Sequence, residues 1–184
     1  MNDLRDAVLK DPLVARVFGS GREVFLVGGY LRDLLRGVRS KDIDFVVRGE
    51  PRSLVSGIFD EGEGSVVTFR EPLLVRVVVG DSTVDFSELR GELEDDLSLR
   101  DFTVNAIAWS PEKGLIDPLN GVGDIGKGRL RGISEKNFMD DPLRLLRAYR
   151  FAAELGWTID QRTRGIIRKL KQSIKVSATE RITL

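Results

Sequence analysis

Residues 25–47 read FLVGGYLRDLLRGVRSKDIDFVV, and their order decides the fold. The apolar run Val24 to Val27 predicts a buried strand ending in two adjacent glycines, Gly28 and Gly29. Tyr30 to Arg36 has helical spacing, carries Arg32 and Asp33, and closes at Gly37; Asp42 and Asp44 then lead a second strand, Ile43 to Val47. Side chains at i and i+2 of a strand share a face, so Asp42 and Asp44 can share metal ions. Glycines let backbone N–H groups approach phosphate closely, and Arg32 adds a fixed cationic fork. Together these residues fit a nucleoside triphosphate held with two divalent cations, because hard Mg2+ prefers carboxylate and phosphate oxygens.

Outward from this stretch, Asp3 to Phe18 reads as a helix interrupted near Pro12, and Pro51 to Phe59 as a helix with proline in its first turn. Val66 to Phe69, Leu73 to Val79 and Thr83 to Phe86 read as strands, with Gly80-Asp81-Ser82 a hairpin turn. A strand–helix–strand unit followed by a β-meander predicts a mixed sheet in an α/β (α+β) domain. Leu97 to Ala108 reads as helical, and Asp117 to Gly121 as a turn cluster. From Asp140 the spacing of Leu143, Leu146, Tyr149, Phe151 and Leu155 predicts a helix, N-capped by Asp140 or Asp141 and stopped by Gly156. Thr163 to Leu170 reads as another helix, and a soft boundary falls near Phe138.

The 184 residues hold 29 Lys plus Arg against 29 Asp plus Glu, so net charge points to no nucleic-acid partner. The end from Arg162 is basic, which fits phosphate contacts or, more commonly, a solvated helix face; Glu88 to Asp96 is acidic. No cysteine and no histidine occurs, which excludes disulfides, thiolate zinc sites and imidazole acid–base catalysis and agrees with a cytoplasmic protein. No apolar run reaches membrane-spanning length and Met1 to Asp6 has no signal-peptide pattern, so no membrane partner is expected. The sequence fixes no oligomeric state.

Asp85, between apolar neighbours on a predicted strand, is the third candidate carboxylate, because an acid there is costly to bury without a partner. Taken alone, Asp42 reads better as a turn cap and Asp85 as a solvent-face residue; jointly with the double glycine, the metal reading prevails. Asp-x-Asp also matches the nucleophile motif of aspartyl-phosphate phosphatases, but there the buried strand precedes the motif; here it follows. Asp141, Arg144, Arg147 and Arg150 recur at i+3, so neighbours in the series lie close on one helix. A carboxylate accepts from an exocyclic amino group and an arginine donates to a ring nitrogen, so Asp141 with Arg144 matches the edge of cytosine or adenine. For a lone Asp-x-x-Arg, paired charges on a surface helix are the commoner reading.

In order along the chain, these segments resemble the motifs of the class II tRNA nucleotidyltransferases (CCA-adding enzymes) and bacterial poly(A) polymerases, within the polymerase-β-like nucleotidyltransferases. Leu26 to Asp33 continuing to Lys41-Asp42-Ile43-Asp44 resembles the first, Leu99 to Ala106 the second, Asp117 to Asp124 the third, Asp140 to Arg144 the fourth and Ala178 to Ile182 the fifth. The resemblance implies a catalytic head over 1–137 and the beginning of a helical neck over 138–184, without body and tail domains. It implies Asp42 and Asp44 as ligands of a two-metal Mg2+ site and Asp85 as activator of the attacking hydroxyl. Gly28, Gly29, Arg32 and Arg100 would contact the triphosphate, with Asp101 and Asn105 near the sugar; Asp141 and Arg144 would read the base, supported by Arg147 and Arg150. The implied reaction adds C and/or A from CTP or ATP to the 3′ end of tRNA or another RNA. A nucleotide-holding head without efficient RNA turnover, and a poly(A) polymerase, are the alternatives. Leu99 stands where the family is usually basic, and Asp140 where it usually has Glu. A flexible loop that influences nucleotide choice is expected roughly within Glu88 to Leu97.

Overall fold

The computed structural model describes residues 2–60, 62–69 and 73–172, so the fifth motif lies outside the described residues. Helices α1 (Asn2–Leu9) and α2 (Pro12–Phe18) precede β1 (Val24–Val27), α3 (Gly29–Leu35), β2 (Asp42–Val47) and α4 (Pro51–Ile58). The meander is β3 (Ser65–Phe69), β4 (Leu74–Val79) and β5 (Ser82–Glu88). Next come α5 (Leu93–Ser98), a 3-10 turn (Thr103–Asn105), β6 (Ala108–Ser110), β7 (Gly114–Ile116) and α6 (Gly121–Gly126). The last part holds β8 (Arg129–Leu130), α7 (Glu135–Asp140), α8 (Leu143–Leu155), β9 (Thr158–Ile159) and α9 (Gln161–Leu170).

One mixed sheet of seven strands runs in the order β3-β4-β5-β2-β1-β6-β7. Only β2 and β5 are parallel within it; the other pairs are antiparallel. Strand parity sorts its side chains into two apolar clusters. Val24, Leu26, Ile43, Phe45, Val47, Val84 and Phe86 join the larger cluster, while Phe25, Val27 and Val46 join a smaller one with Leu89, Leu93 and Leu97. Asp42, Asp44 and Asp85 have the parity of the smaller cluster's face. The acids therefore stand where that apolar cover ends.

The larger cluster continues into the C-terminal helices without a break at Phe138. That ring is fully buried and meets Phe102 edge-on with centroids 5.7 Å apart, and Leu145, Ala148, Ile166 and Ile167 belong to the same core.

Three expectations change. Leu97 to Ala108 is not one helix: α5 ends at Ser98, and a turn, the 3-10 segment and β6 follow. The Asp101 carboxylate accepts the Phe102 N–H at 2.8 Å and the Asn105 amide at 3.0 Å, a side-chain alternative to the helical ladder. The expected loop over Glu88 to Leu97 is the end of β5, a short turn and α5, held down by buried Leu89, Leu93 and Leu97. At α8 the cap position is Pro142; Asp140 ends α7, and Asp141 accepts the Leu143 N–H at 3.2 Å. Gly156 stops α8 in the left-handed conformation, φ 68°. On α9 the basic side chains Arg162, Arg164, Arg168 and Lys169 are exposed over buried Ile166 and Ile167, which is the solvated-face reading of that segment.

Candidate active site

A cleft of about 480 Å3 opens between the sheet and α8. It is lined by Gly28, Gly29, Arg32, Asp33, Ser40, Asp42, Asp44, Arg100, Asp101, Asn105, Asp141, Arg144, Arg147, Arg150 and Phe151. Residues separated by more than a hundred positions in the chain thus meet at one surface.

Gly28 makes the turn from β1 into α3 at φ 75° and ψ −133°, a conformation confined almost entirely to glycine. Its N–H donates to the Ile107 carbonyl at 3.1 Å. What Gly28 supplies is space. A Cβ there would stand 3.1 Å from Arg100 Nη1 and 3.7 Å from Asp44 Oδ2, between the cationic and anionic walls. Arg100 is held by Asp96, with its Nη2 at 3.2 Å, and donates to the Asn105 carbonyl at 3.4 Å.

Asp42 and Asp44 both line the cleft, two positions apart on β2. Burial raises the Asp44 carboxyl above its ordinary pKa; Arg100 opposes this, and the charges of Asp85 and Asp42 add to it. Two hard oxygen donors on one strand face, with the Asp44 carboxylate destabilised by burial and like charge, fit a divalent cation, which relieves both. Asp42 and Asp44 are accordingly the residues able to hold Mg2+. Among the described residues no group of three or more His, Cys, Asp or Glu forms a closed metal cage.

Asp85 lies directly opposite Asp44 in the β2–β5 register but is not part of the cleft lining. Arg76, its partner on β4, holds both carboxylate oxygens, Nε to Oδ1 at 2.8 Å and Nη2 to Oδ2 at 2.7 Å. The three acids therefore share a sheet face, with two in the cleft and the third clamped beside it.

The second wall comes from α8 and the turn before it. Arg144 Nη1 donates to the Leu99 carbonyl at 2.7 Å, and its Nε lies 3.8 Å from Asp141 Oδ2. Buried Asn137 secures the same place by donating to the Ser98 and Arg100 carbonyls, each at 2.7 Å. The C-terminal end of α5 thus anchors the Asp141–Arg144 pair at the cleft. Arg147 Nε donates to Asp101 Oδ2 at 2.8 Å, while Arg150 lies 3.7 Å from Glu154.

The sequence reading left several participants without a role. Asp33 clamps the buried Arg32 guanidinium in a fork at 3.0 and 2.7 Å, and Asn105 Oδ1 accepts its third donor at 2.8 Å. Ser40 joins the lining, and Phe151 reads in sequence only as an apolar helix position. Arg76 has no motif at all. It alternates with buried valines on its strand, and that alternation is the one signal that placed it on an open face.

This fold and cleft define a nucleotidyltransferase head, and comparison with known proteins carries the assignment further. The family described as Poly A polymerase head domain matches residues 24–93 and 65–131. The CC-adding tRNA nucleotidyltransferase of Synechocystis is 47% identical over 162 residues, covering 85% of this chain and 39% of its own length. The A-adding enzyme of Deinococcus radiodurans is 40% identical, covering 82% of this chain and 35% of its own. A CCA-adding enzyme in complex with CTP superposes with a TM-score of 0.82 at 27% identity, over 95% of this chain and 47% of that one. The Thermotoga maritima CCA-adding enzyme complexed with tRNA superposes with a TM-score of 0.79 at 29% identity, over 97% of this chain and 46% of that one. The chain belongs to this family of tRNA nucleotidyltransferases and poly(A) polymerases. It spans less than half the length of these relatives.

Proposed function

We propose that the chain is the catalytic head and start of the neck of a template-independent RNA nucleotidyltransferase that adds C and/or A from CTP or ATP to the 3′ end of tRNA. The observation that carries this reading is one cleft lined jointly by Asp42 and Asp44, by Arg100 and by the Asp141–Arg144 pair. The relatives named for CC and A addition support the substrate class.

In the reaction, an RNA 3′-hydroxyl gives up its proton to a carboxylate of the site, and its oxygen bonds to the α-phosphorus. The bond from that phosphorus to the bridging oxygen breaks, and pyrophosphate departs with the electron pair. Asp42 and Asp44 are assigned to Mg2+, whose contribution when bound is neutralisation of charge on the phosphate oxygens. Arg32 and Arg100 are assigned to the triphosphate, Asp141 and Arg144 to the base edge. Asp101 and Asn105 are assigned to the sugar side, with Arg147 and Arg150 in support. Asp85 is assigned to the attacking hydroxyl, a role that requires Arg76 to release it. Little covalent chemistry falls to the protein, so positioning and electrostatics supply the acceleration. The division at 138 is functional, sheet chemistry before it and base recognition after it. No described helix is long and apolar enough to cross a membrane, and with a tRNA substrate we assign the activity to the cytoplasm.

The test offers tRNAs ending before CCA, after CC and after CCA with CTP, ATP or both. Extension that is Mg2+-dependent and lost in Asp42→Ala and Asp44→Ala is expected, and the accepted ends define CC, A, CCA or poly(A) addition. Nucleotide binding without extension would instead make the chain a nucleotide-holding head, and unchanged extension in both variants would remove the metal assignment.

A further inference from the structure

Three arginines of the cleft converge on one phenylalanine. The guanidinium carbons of Arg32, Arg147 and Arg150 lie 5.3, 5.2 and 5.1 Å from the centroid of the Phe151 ring. Arg32 comes from α3 beside the glycine turn; the other two come from α8, Arg147 one helical turn before the ring. Phe151 is 8% exposed and lines the cleft. Its orientation is fixed from behind by Phe102, edge-on at 5.8 Å and 86°.

Three positive groups around one point repel one another. Each carries a carboxylate of its own, Arg32 with Asp33, Arg147 with Asp101 and Arg150 with Glu154. What they share is the ring, whose negative quadrupole attracts cations within about 6 Å of its centroid. An apolar core position alone needs no such company; a leucine would fill it. We propose that Phe151 is a positioning residue of the nucleotide site, its aromatic face gathering Arg32, Arg147 and Arg150 into the cluster that receives a triphosphate. This rests on the nucleotide reading of the cleft. It adds that the neck helix reaches the phosphate-binding arginine of the head through an aromatic ring, so that one side chain couples base-reading and phosphate-binding walls.

The experiment replaces Phe151 by 4-fluoro-, 3,5-difluoro- and 3,4,5-trifluorophenylalanine, which keep the shape and drain the ring face of charge. Calorimetry measures binding of CTP with Mg2+ and of inorganic tripolyphosphate. A graded loss for both ligands, on the order of tenfold by the trifluoro ring, is expected if the cation–ring attraction holds the arginines. Equal affinity along the series would overturn the proposal, as would a loss confined to CTP. Phe138→Leu thins the same aromatic core at a ring whose aromatic partner is Phe102. It should lower the melting temperature and leave CTP affinity within about twofold; a loss matching the trifluoro protein's would reduce Phe151 to packing and also overturn the proposal. Failure of the unmodified protein to bind either ligand would remove the nucleotide reading itself, and this inference with it.

Discussion

Gly28 and Gly29 are chemically identical neighbours, and the structure gives their replacement by alanine opposite consequences. Gly28 holds φ 75° and ψ −133°, a conformation costing a side-chain-bearing residue about 1–3 kcal/mol. Its new methyl would also meet Arg100 Nη1 at 3.1 Å, which obliges that guanidinium to shift. Taking about 2 kcal/mol, and about 2–4 °C per kcal/mol for a domain of this size, Gly28→Ala should melt about 4–8 °C lower. At Gly29, inside α3, a methyl makes only van der Waals contact, 3.6 to 3.9 Å from the Arg32 guanidinium. There alanine should be neutral or stabilising by up to about 1 kcal/mol, because glycine is the poorer helix residue. Differential scanning fluorimetry of the two variants measures the contrast, and titration with CTP and Mg2+ adds the functional half. Gly28→Ala pushes a methyl between Arg100 and Asp44 and should bind at least about tenfold more weakly, the equivalent of about 1.4 kcal/mol. Equal melting temperatures would refute the backbone argument. A lower melting temperature with unchanged CTP affinity would refute the view that Gly28 keeps nucleotide space open.

Asp44→Asn should raise the melting temperature at pH 7 without divalent cations. Its folded pKa is raised, so the protonated form is the comfortable one, and stability falls as pH climbs from the ordinary carboxylate range through the raised value; Mg2+ should narrow the gap between variant and parent, and no gap in chelator would contradict the burial argument. Asp124 is fully buried and bonded to Thr103, Arg129 and Arg131. Its arginine partners are about a third exposed and keep water when it is removed, so Asp124→Ala should cost about 1–3 kcal/mol in urea denaturation; a change below about 0.5 kcal/mol would show that the network carries little. Asp141→Ala and Arg144→Ala should weaken CTP and ATP binding while leaving tripolyphosphate nearly unaffected, and equal loss for all three would place the pair on phosphates instead of bases.

Much of the site was legible in the sequence because local rules governed it. Two-residue alternation alone fixed Asp42 and Asp44 on one face of β2, and the glycine pair marked the turn before α3. The spacing of Leu143, Leu146, Tyr149, Phe151 and Leu155 found α8 without reference to any contact but misplaced its buried face, since Leu146 and Tyr149 are exposed while Leu145 and Ala148 join Phe151 in the core. Where a side chain overrode the local pattern, periodicity failed: Asp101 captured the Phe102 amide and divided the expected helix. The motif order could name the participants of the cleft, but not what each one holds.

The identity of the two walls, acids on a strand and an Asp–Arg pair at the start of a helix, was determined by the sequence itself, since pattern and spacing are properties of the local chain. The tertiary structure alone decided that Arg76 clamps Asp85, that Asp101 receives Arg147, and that three arginines meet at Phe151. Those pairings join elements distant along the chain, and their geometry depends on strand order and helix placement. No periodicity within a segment encodes which other segment will face it.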